Sequence, residues 1–387
     1  MKLQHVRIAL VTDTYVPQVN GVTTVVHRMV RGLAAAGVPC AVVAPAYPDT
    51  APDTDELRIP SVSFPPYPAI RLSLPAARRI ARFLARFRPD VVHVATEGPL
   101  GLLGRGFALR HHVPLVTSFH TDFPGYCRHY GAAALESAVW RWLLWFHRPA
   151  RLTHTPGEFV QRMLQDRGLE HVVVWGRGVD LSLFRPDRDG GPWRRRLGVE
   201  PGMSLVLHVG RLAPEKNLNT LCHAWSLARA TLGRRAMFVV AGDGPSRSLL
   251  EARLPWVRRV GFLGREELAS LYAAADLCVL PSGTETCGLV ALEAMAAGVP
   301  VIAADAGGLR ESVRHGQNGL IAPPGDARAF AAHVVELVME RERTRALALG
   351  ARRFALSRDA TAEDAALLDQ YRAIAPTTST PESECAA

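Results

Sequence analysis

The sequence predicts an α/β protein made of two successive, doubly wound parallel sheets that face each other across a cleft. Two observations carry that prediction. Short, near-continuous apolar runs alternate with helix-like segments along most of the 387 residues, and such runs suit parallel strands covered on both faces. The alternation then starts afresh beyond a Gly- and Asp-rich joint at 175–191, WGRGVDLSLFRPDRDGG. The length is comfortable for two domains, and a hydrophobic content of 48% is enough for two large cores. Nothing repeats at the period of a solenoid.

In the first half the strand-like runs are RIALVT (7–12), CAVVAP (40–45), DVVHVA (90–95), PLVTSF (114–119), RLTHT (151–155) and HVVVW (171–175). Helix-like segments such as 22–36 and 98–111 lie between them. The second half repeats the rhythm at 204–210, 236–242, 258–264, 276–281, 299–305 and 319–324. A first Rossmann-like domain is therefore expected over 1–180 and a second over 181–356. A polar tail over 374–387, ending TTSTPESECAA, is expected to be disordered.

No uninterrupted apolar run reaches membrane-spanning length, and the opening MKLQHVRIALVTD reads as a first strand rather than a signal peptide. Six scattered cysteines (Cys40, Cys127, Cys222, Cys278, Cys287, Cys385) form no CxxC pair. They read as reduced thiols of a cytoplasmic protein, and no metal site is expected. The net charge of +9 is unevenly shared: residues 1–180 carry 20 basic and 13 acidic side chains, the remainder 25 and 23. A basic first half points to an anionic partner surface. Only Lys2 and Lys216 are lysines; codon composition explains the avoidance, but not why the one internal lysine stands where it does.

Two stretches of the first half suit an interface. In LPAARRIARFLARFRPD (74–90), Ile80, Phe83, Leu84 and Phe87 recur at helical spacing, with Arg79, Arg82 and Arg86 opposite and Arg78 and Arg88 adding charge. A helix packed on a sheet shows the same pattern; five arginines with no acid before Asp90 also suit anionic lipid headgroups. WRWLLWFHRPAR (140–151), with three tryptophans and basic flanks, is open to the same two readings, core helix or interfacial surface. A basic face would suit nucleic acid too, but no recognition motif is legible, and no nucleic-acid partner is expected.

The chemistry concentrates at strand exits. VLPSGTETCGLVALEAMAAGVP (279–300) is a strand, a polar turn, and a helix beginning near Leu289 and stopping at Gly298-Val299-Pro300. A helix start offers free N–H groups and a positive dipole end to a phosphate. Glu285 and Glu293 flank it and suit hydroxyl donors, as on a ribose or sugar ring, so the stretch suggests a sugar nucleotide. An ordinary sheet helix with one capping and one solvated glutamate is the plain alternative. In HVGRLAPEKNL (208–218), Arg211 and Lys216 share one loop and can clamp a diphosphate without a metal. Gly210 there, and Gly242 in VVAGDGP (239–245), suit close approach of a ligand. Phe262 and Leu263 of GFLG (261–264) offer backbone groups and an apolar wall to a base. Near the start, Asn20-Gly21 permits a tight turn directly before a helix, although the GxGxxG dinucleotide fingerprint is absent. In SFHTDFPGY (118–126), His120 should sit at a strand exit facing the cleft, beside Asp122.

GRLAPEKN followed by PSGTETCGLVALEAMAAGVPVIA resembles the retaining, nucleotide-sugar-dependent glycosyltransferases of family 4, of the GT-B fold, over nearly the whole chain. The opening TDTYVPQVNGV, with SFHTDF and TETCG, is similar to the branch holding bacterial lipid α-mannosyltransferases and sulfolipid synthase. The resemblance implies an acceptor-binding first domain, a donor-binding second domain, and a segment 357–373 that crosses back to the first. It implies that Asn20-Gly21 approaches the diphosphate and that His120 contacts the transferred sugar. Arg211 and Lys216 would stabilise the departing diphosphate, Glu285 would bind donor-sugar hydroxyls, and Glu293 would hold the ribose. The backbone of Gly288, Leu289 and Val290 would contact phosphate or sugar. Cys287 stands where Phe is usual in the family.

The implied donor is GDP-mannose, with a UDP-sugar as the alternative, and no cofactor or metal is implied. The implied acceptor is a lipid or glycolipid at the inner face of the cytoplasmic membrane, approached by Arg78, Arg79, Arg82 and Arg86; a soluble sugar or natural product is the alternative. The competing class is a sugar-nucleotide-binding protein or epimerase. An NAD-dependent epimerase would need a dinucleotide fingerprint and a Tyr-x-x-x-Lys pair, and neither is present.

Overall fold

Each half of the chain closes its own parallel sheet in the computed structural model, which describes residues 6–376 apart from 49, 51–52, 65–66 and 177. The first half runs β1 (Ile8–Val11), α1 (Gly21–Ala35), β2 (Cys40–Pro45), β3 (Glu56–Ile59), β4 (Ser61–Phe64), β5 (Tyr67–Ser73), α2 (Ala77–Phe87), β6 (Val91–Val94) and α3 (Pro99–Arg110). It continues with β7 (Leu115–Ser118), α4 (Phe123–His129), α5 (Glu136–His147), β8 (Leu152–Thr155), α6 (Glu158–Gln165) and β9 (Val172–Val174). The second half runs α7 (Gly191–Leu197), β10 (Ser204–Val209), α8 (Leu218–Leu232), β11 (Ala236–Ala241), α9 (Arg247–Arg253), β12 (Arg258–Gly261), α10 (Arg265–Ala274) and β13 (Leu277–Leu280). After it come α11 (Leu289–Ala296), β14 (Val301–Ala304), α12 (Leu309–Ser312), β15 (Gly319–Ala322), α13 (Ala327–Met339), α14 (Arg341–Leu356) and α15 (Ala360–Ile374).

The strands order as β3-β2-β1-β6-β7-β8-β9 and β12-β11-β10-β13-β14-β15, and each neighbouring pair in these two sheets is parallel. All twelve runs read as strands form, all but CAVVAP shortened at one or both ends. The sequence reading missed β3 and the antiparallel pair β4–β5. Their residues, ELRI, SVSF and YPAIRLS, alternate polar and apolar side chains in short pieces between prolines, so no continuous apolar run of the kind that marks the other strands is present. In each large sheet the strand order reverses once, between β1 and β6 and between β10 and β13. Open parallel sheets bind ligands outside the carboxyl ends of their strands at such a reversal.

Helices α2, α3 and α5 cover one face of the first sheet, where Ile80, Leu84, Leu100, Phe107 and Phe146 pack with Val11, Val43 and Val92. Ile80 and Leu84 of α2 are fully buried, each worth about 1.5–3 kcal/mol. Arg78, Arg79, Arg82 and Arg86 are exposed on the outer side. The helix ends where Arg88 takes φ 52° just before Pro89. In α5 one side is core and the other faces outward: Leu143 and Phe146 are buried, while Trp142 and Trp145 are 38% and 50% exposed.

The other face of the first sheet is covered by α1 and α15, through Val26, Met29, Leu33, Leu367 and Tyr371. The chain crosses between domains twice at one place: Val179 N donates to Arg358 O at 2.8 Å and Ala360 N to Val179 O at 3.2 Å. Beyond the crossing, α15 is tied to the first domain. The Tyr371 hydroxyl meets His93 Nδ1 at 2.5 Å, His154 Nε2 meets Gln370 Oε1 at 2.8 Å, and Trp175 Nε1 donates to Glu363 O at 2.9 Å. Helix α15 runs on to Ile374. Lys2, Cys385 and the tail from 377 onward lie outside the described residues. Among the described residues no helix is long and apolar enough to cross a membrane.

Candidate active site

The second sheet's reversal point is where the site is built. After β13 the chain turns through 281–288 and enters α11 at Leu289. Gly288 takes φ 72°, a backbone conformation that strains any residue with a Cβ. No side chain caps α11, so its first N–H groups remain for a ligand. The turn is supported from the loop after β14. Gly308 N donates to Glu285 O at 2.6 Å, and a Cβ on Gly307 or Gly308 would lie 2.5 Å from the carbonyl of Glu285 or Thr286. On its other side, the Glu215 carbonyl accepts from Ser282 Oγ at 3.2 Å and Thr284 Oγ1 at 3.1 Å. Thr286 Oγ1 donates to the His120 carbonyl at 3.0 Å, so the turn touches both domains.

The loop after β10 brings Arg211 and Lys216 to this turn. Lys216 Nζ pairs with the Glu285 carboxylate, and Arg211 pairs with Glu215. Burial works against the Lys216 proton, but Glu285, Tyr126 and Glu215 outweigh it, and the ammonium is held above its ordinary pKa. Burial likewise raises Glu215, yet hydrogen bonds and charge from Arg211 bring its carboxyl below the usual value. Tyr130 of the first domain donates its hydroxyl to Glu215 Oε2 at 2.9 Å. Each cation therefore has a carboxylate partner, and phosphate oxygens entering here compete with those carboxylates. Glu285 was expected as an acceptor of sugar hydroxyls; Lys216 is its partner here.

His120 lies two residues beyond β7, and its Nε2 is buried with no hydrogen-bond partner among the described residues. Burial, with His154 and His147 nearby, lowers its pKa to about 4, so the imidazole is neutral at pH 7. Asp122 does not orient it: its Oδ1 accepts from Gly125 N at 2.9 Å and caps α4. Tyr126 on α4 stands in the field of Lys216, Glu215, Arg211 and Glu285 together. Helix α4 thus faces the cation pair across the cleft. Neither Glu215 nor the two tyrosines was singled out in the sequence; the only signal for Glu215 was its place between Arg211 and Lys216.

The other expected residues divide. Glu293 is half-buried on the second turn of α11, and burial pushes its pKa up to about 7. Arg265 and the Tyr272 hydroxyl, at 3.5 Å, act against that rise. Asn20 is the N-cap of α1: its Oδ1 accepts from Thr23 N at 2.8 Å and its Nδ2 donates to Thr14 Oγ1 at 2.8 Å. Gly21 leaves open space, with nothing within 4 Å of a Cβ placed there. A Cβ placed on Gly210 would meet nothing closer than His208 Nε2 at 3.9 Å, whereas Gly242 is crowded. A Cβ on Gly242 would sit 1.9 Å from the Gly210 carbonyl, so the two strand exits press on each other. Phe262 is exposed, while Leu263 packs on the second domain's core. Val290 packs on that core, Leu289 on the cores of both domains, and Cys287 is buried. Among the described residues no group of three or more His, Cys, Asp or Glu side chains is placed to hold a metal ion.

Known proteins match the chain along most of its length. Residues 19–183 match the family described as Glycosyltransferase Family 4, and residues 204–340 match Glycosyl transferases group 1. The GDP-mannose-dependent alpha-mannosyltransferase of Mycobacterium tuberculosis is 36% identical over 95% of this chain and 97% of its own length. Alpha-monoglucosyldiacylglycerol synthase of Streptococcus pneumoniae is 30% identical over 77% of this chain and 70% of its own. Sucrose-phosphate synthase from Thermosynechococcus elongatus shares the fold, with a TM-score of 0.76 at 22% identity, covering 95% of this chain and 99% of that one. With two parallel-sheet domains of the GT-B kind and relatives matching along its length, the chain belongs to the family 4 glycosyltransferases.

Proposed function

We propose that the protein transfers mannose from GDP-mannose, with retention of anomeric configuration, onto a hydroxyl of a lipid or glycolipid at an anionic membrane surface. The observation that carries this reading is the pair of cations, Arg211 and Lys216, set beside the uncapped start of α11 and facing His120 and Tyr126 of the other domain. The diphosphate would displace Glu285 and Glu215 from the cations and receive N–H groups near Leu289 and Val290. As the bond from C1 to the phosphate oxygen breaks, charge builds on the leaving group, and two fixed cations with a helix start offset it. The acceptor oxygen bonds to C1 from the same face, and its proton passes to the departing phosphate oxygen. Freed Glu285 takes sugar hydroxyls. His120, neutral at working pH, serves as a hydrogen-bonding group rather than an acid. Glu293 takes the ribose.

The cations do here what a metal does in other diphosphate sites, so turnover should persist in EDTA. The mannosyltransferase relative supports the donor, and the name of the diacylglycerol-modifying relative supports a lipid acceptor. The exposed arginines of α2, with no ion-pair partner among the described residues, support docking at anionic headgroups on the inner face of the cytoplasmic membrane. A thermal-shift panel of GDP- and UDP-sugars tests the donor. At 100 times its Kd a bound donor adds about 2.7 kcal/mol of stability, so GDP-mannose should give the largest shift. A larger shift with a UDP-sugar would move the assignment to a uridine donor.

A further inference from the structure

The second sheet parts at its reversal point, and a histidine stands where the strands separate. Strands β10 and β13 pair through Val206 with Leu277 and Leu207 with Cys278, and the paired register stops there. At the next level His208 takes over from the backbone, its Nδ1 meeting the Val279 carbonyl at 2.8 Å. A carbonyl only accepts, so Nδ1 carries the ring hydrogen and Nε2 is left with a bare lone pair. The residue is 2% exposed, yet Nε2 has no hydrogen-bond partner among the described residues. His93 and His147, buried as deeply, each use both ring nitrogens. Packing does not explain the imidazole, since the other residues from Leu205 to Val209 are all aliphatic.

The unused nitrogen faces the start of the loop that carries the cations. A Cβ placed on Gly210, the residue before Arg211, would meet Nε2 at 3.9 Å. Burial lowers the His208 pKa to about 4, with Lys216 adding to the fall and the Val279 carbonyl and Glu285 acting against it. The ring is therefore neutral at pH 7, and it lies within the fields of the Lys216–Glu285 pair. Of those two groups only Lys216 has an N–H to give. Without ligand its ammonium is turned to Glu285. The transfer requires the diphosphate to displace that carboxylate, and the ammonium, on its flexible stem, then loses the acceptor that aims it.

We infer that His208 is a positioning residue for the transfer: when the diphosphate takes the place of Glu285, Lys216 gives one N–H to Nε2 of His208 and turns the others to the phosphate oxygens. The inference deepens the proposed function and rests on it, because it needs Lys216 at the diphosphate. A neutral acceptor suits this task where a second carboxylate would not. It fixes the direction of the ammonium without cancelling its charge, so the charge stays available to the leaving group. The imidazole is itself held, since Nδ1 is tied to Val279 of β13, the strand that leads into the turn carrying Glu285.

Two substitutions separate the two bonds of the ring. His208→Asn keeps an N–H for the Val279 carbonyl and removes the acceptor at Nε2. His208→Gln puts an amide oxygen near the place of Nε2 and gives up the Val279 bond. Both are read in the full chain by GDP release from GDP-mannose with a lipid acceptor, and by melting temperature. His208→Asn should melt near the wild type and lose about tenfold in kcat, part of the roughly 10²–10³ expected for Lys216→Ala, with KM for the donor unchanged. His208→Gln should melt lower and recover most of kcat. In a Lys216→Ala background His208→Asn should cost nothing further, because the group it aims is gone. Wild-type kcat in His208→Asn, no recovery in His208→Gln, or the same fold loss with and without Lys216 overturns the inference and leaves the diphosphate clamp standing. An undiminished kcat in Lys216→Ala overturns the reading beneath it.

Discussion

Replacing Lys216 by alanine separates what the ion pair does for the fold from what the ammonium does in turnover. Lys216 and Glu285 are each only 19% exposed, so the pair lies mostly out of water. Without ligand, Lys216→Ala leaves the Glu285 carboxylate unpaired, at a cost of about 1–3 kcal/mol, against the ~0–1 kcal/mol of an exposed surface pair. Each kcal/mol lowers the melting temperature by about 2–4 °C for a domain of this size. In turnover, loss of one group that stabilises developing charge costs about 2.7–4 kcal/mol, or roughly 10²–10³ in kcat. That stabilisation appears only as charge builds, so kcat and kcat/KM should fall together. Release of GDP in the presence of donor and lipid acceptor measures the rate, and far-UV circular dichroism should show an unchanged fold. The double variant Lys216→Ala/Glu285→Gln removes the stranded charge. Its melting temperature should return toward wild type while turnover stays low. An undiminished kcat in Lys216→Ala would refute the reasoning.

Three further outcomes are expected. Burial lifts Glu293 to about 7, so the native state holds this proton more tightly than the unfolded chain, and its contribution to stability falls as pH rises from the ordinary carboxyl value to about 7; Glu293→Gln should flatten thermal unfolding across that window. The same carboxylate must be ionised to accept ribose hydroxyls fully, so titration calorimetry should show GDP binding strengthen from pH 6 to 8 in the wild type but not in Glu293→Gln. Gly307 takes φ 53° beneath the Glu285 carbonyl, so Gly307→Ala should lose about 1–3 kcal/mol in denaturant unfolding and displace the turn that carries Glu285, lowering activity with it. Arg82→Gln with Arg86→Gln should weaken sedimentation with phosphatidylglycerol vesicles by about 1 kcal/mol per charge, and the difference should vanish near 1 M salt, where the Debye length is about 3 Å.

What the sequence made legible follows from what each feature depends on. Strands such as CAVVAP and SLVLHV are buried on both faces, so local composition alone marks them. Strands β3 to β5 are short alternating pieces rather than apolar runs, and their pairing, β3 with β2 and β4 with β5, is not written locally. Arg211, Lys216 and Glu285 were legible because strand exits of one parallel sheet converge at its reversal point, and their residue types suit a diphosphate. Their pairing was not legible, since Glu285 lies 69 positions from Lys216. Nor was Glu215, whose side chain is fully buried and meets Tyr130 across the cleft only once both domains are packed. Gly242 carries a more general lesson. A glycine at a strand exit suggests room for a ligand, yet here the space it leaves is filled by the Gly210 carbonyl. Glycine reports close approach, and the sequence does not say of what.

A crystal structure of the protein with GDP tests the central claim most directly. The account predicts the diphosphate between Arg211 and Lys216 at the first N–H groups of α11, with Glu285 released from the lysine and the ribose at Glu293. A diphosphate bound elsewhere in the cleft, with the Lys216–Glu285 and Arg211–Glu215 pairs intact, would contradict it.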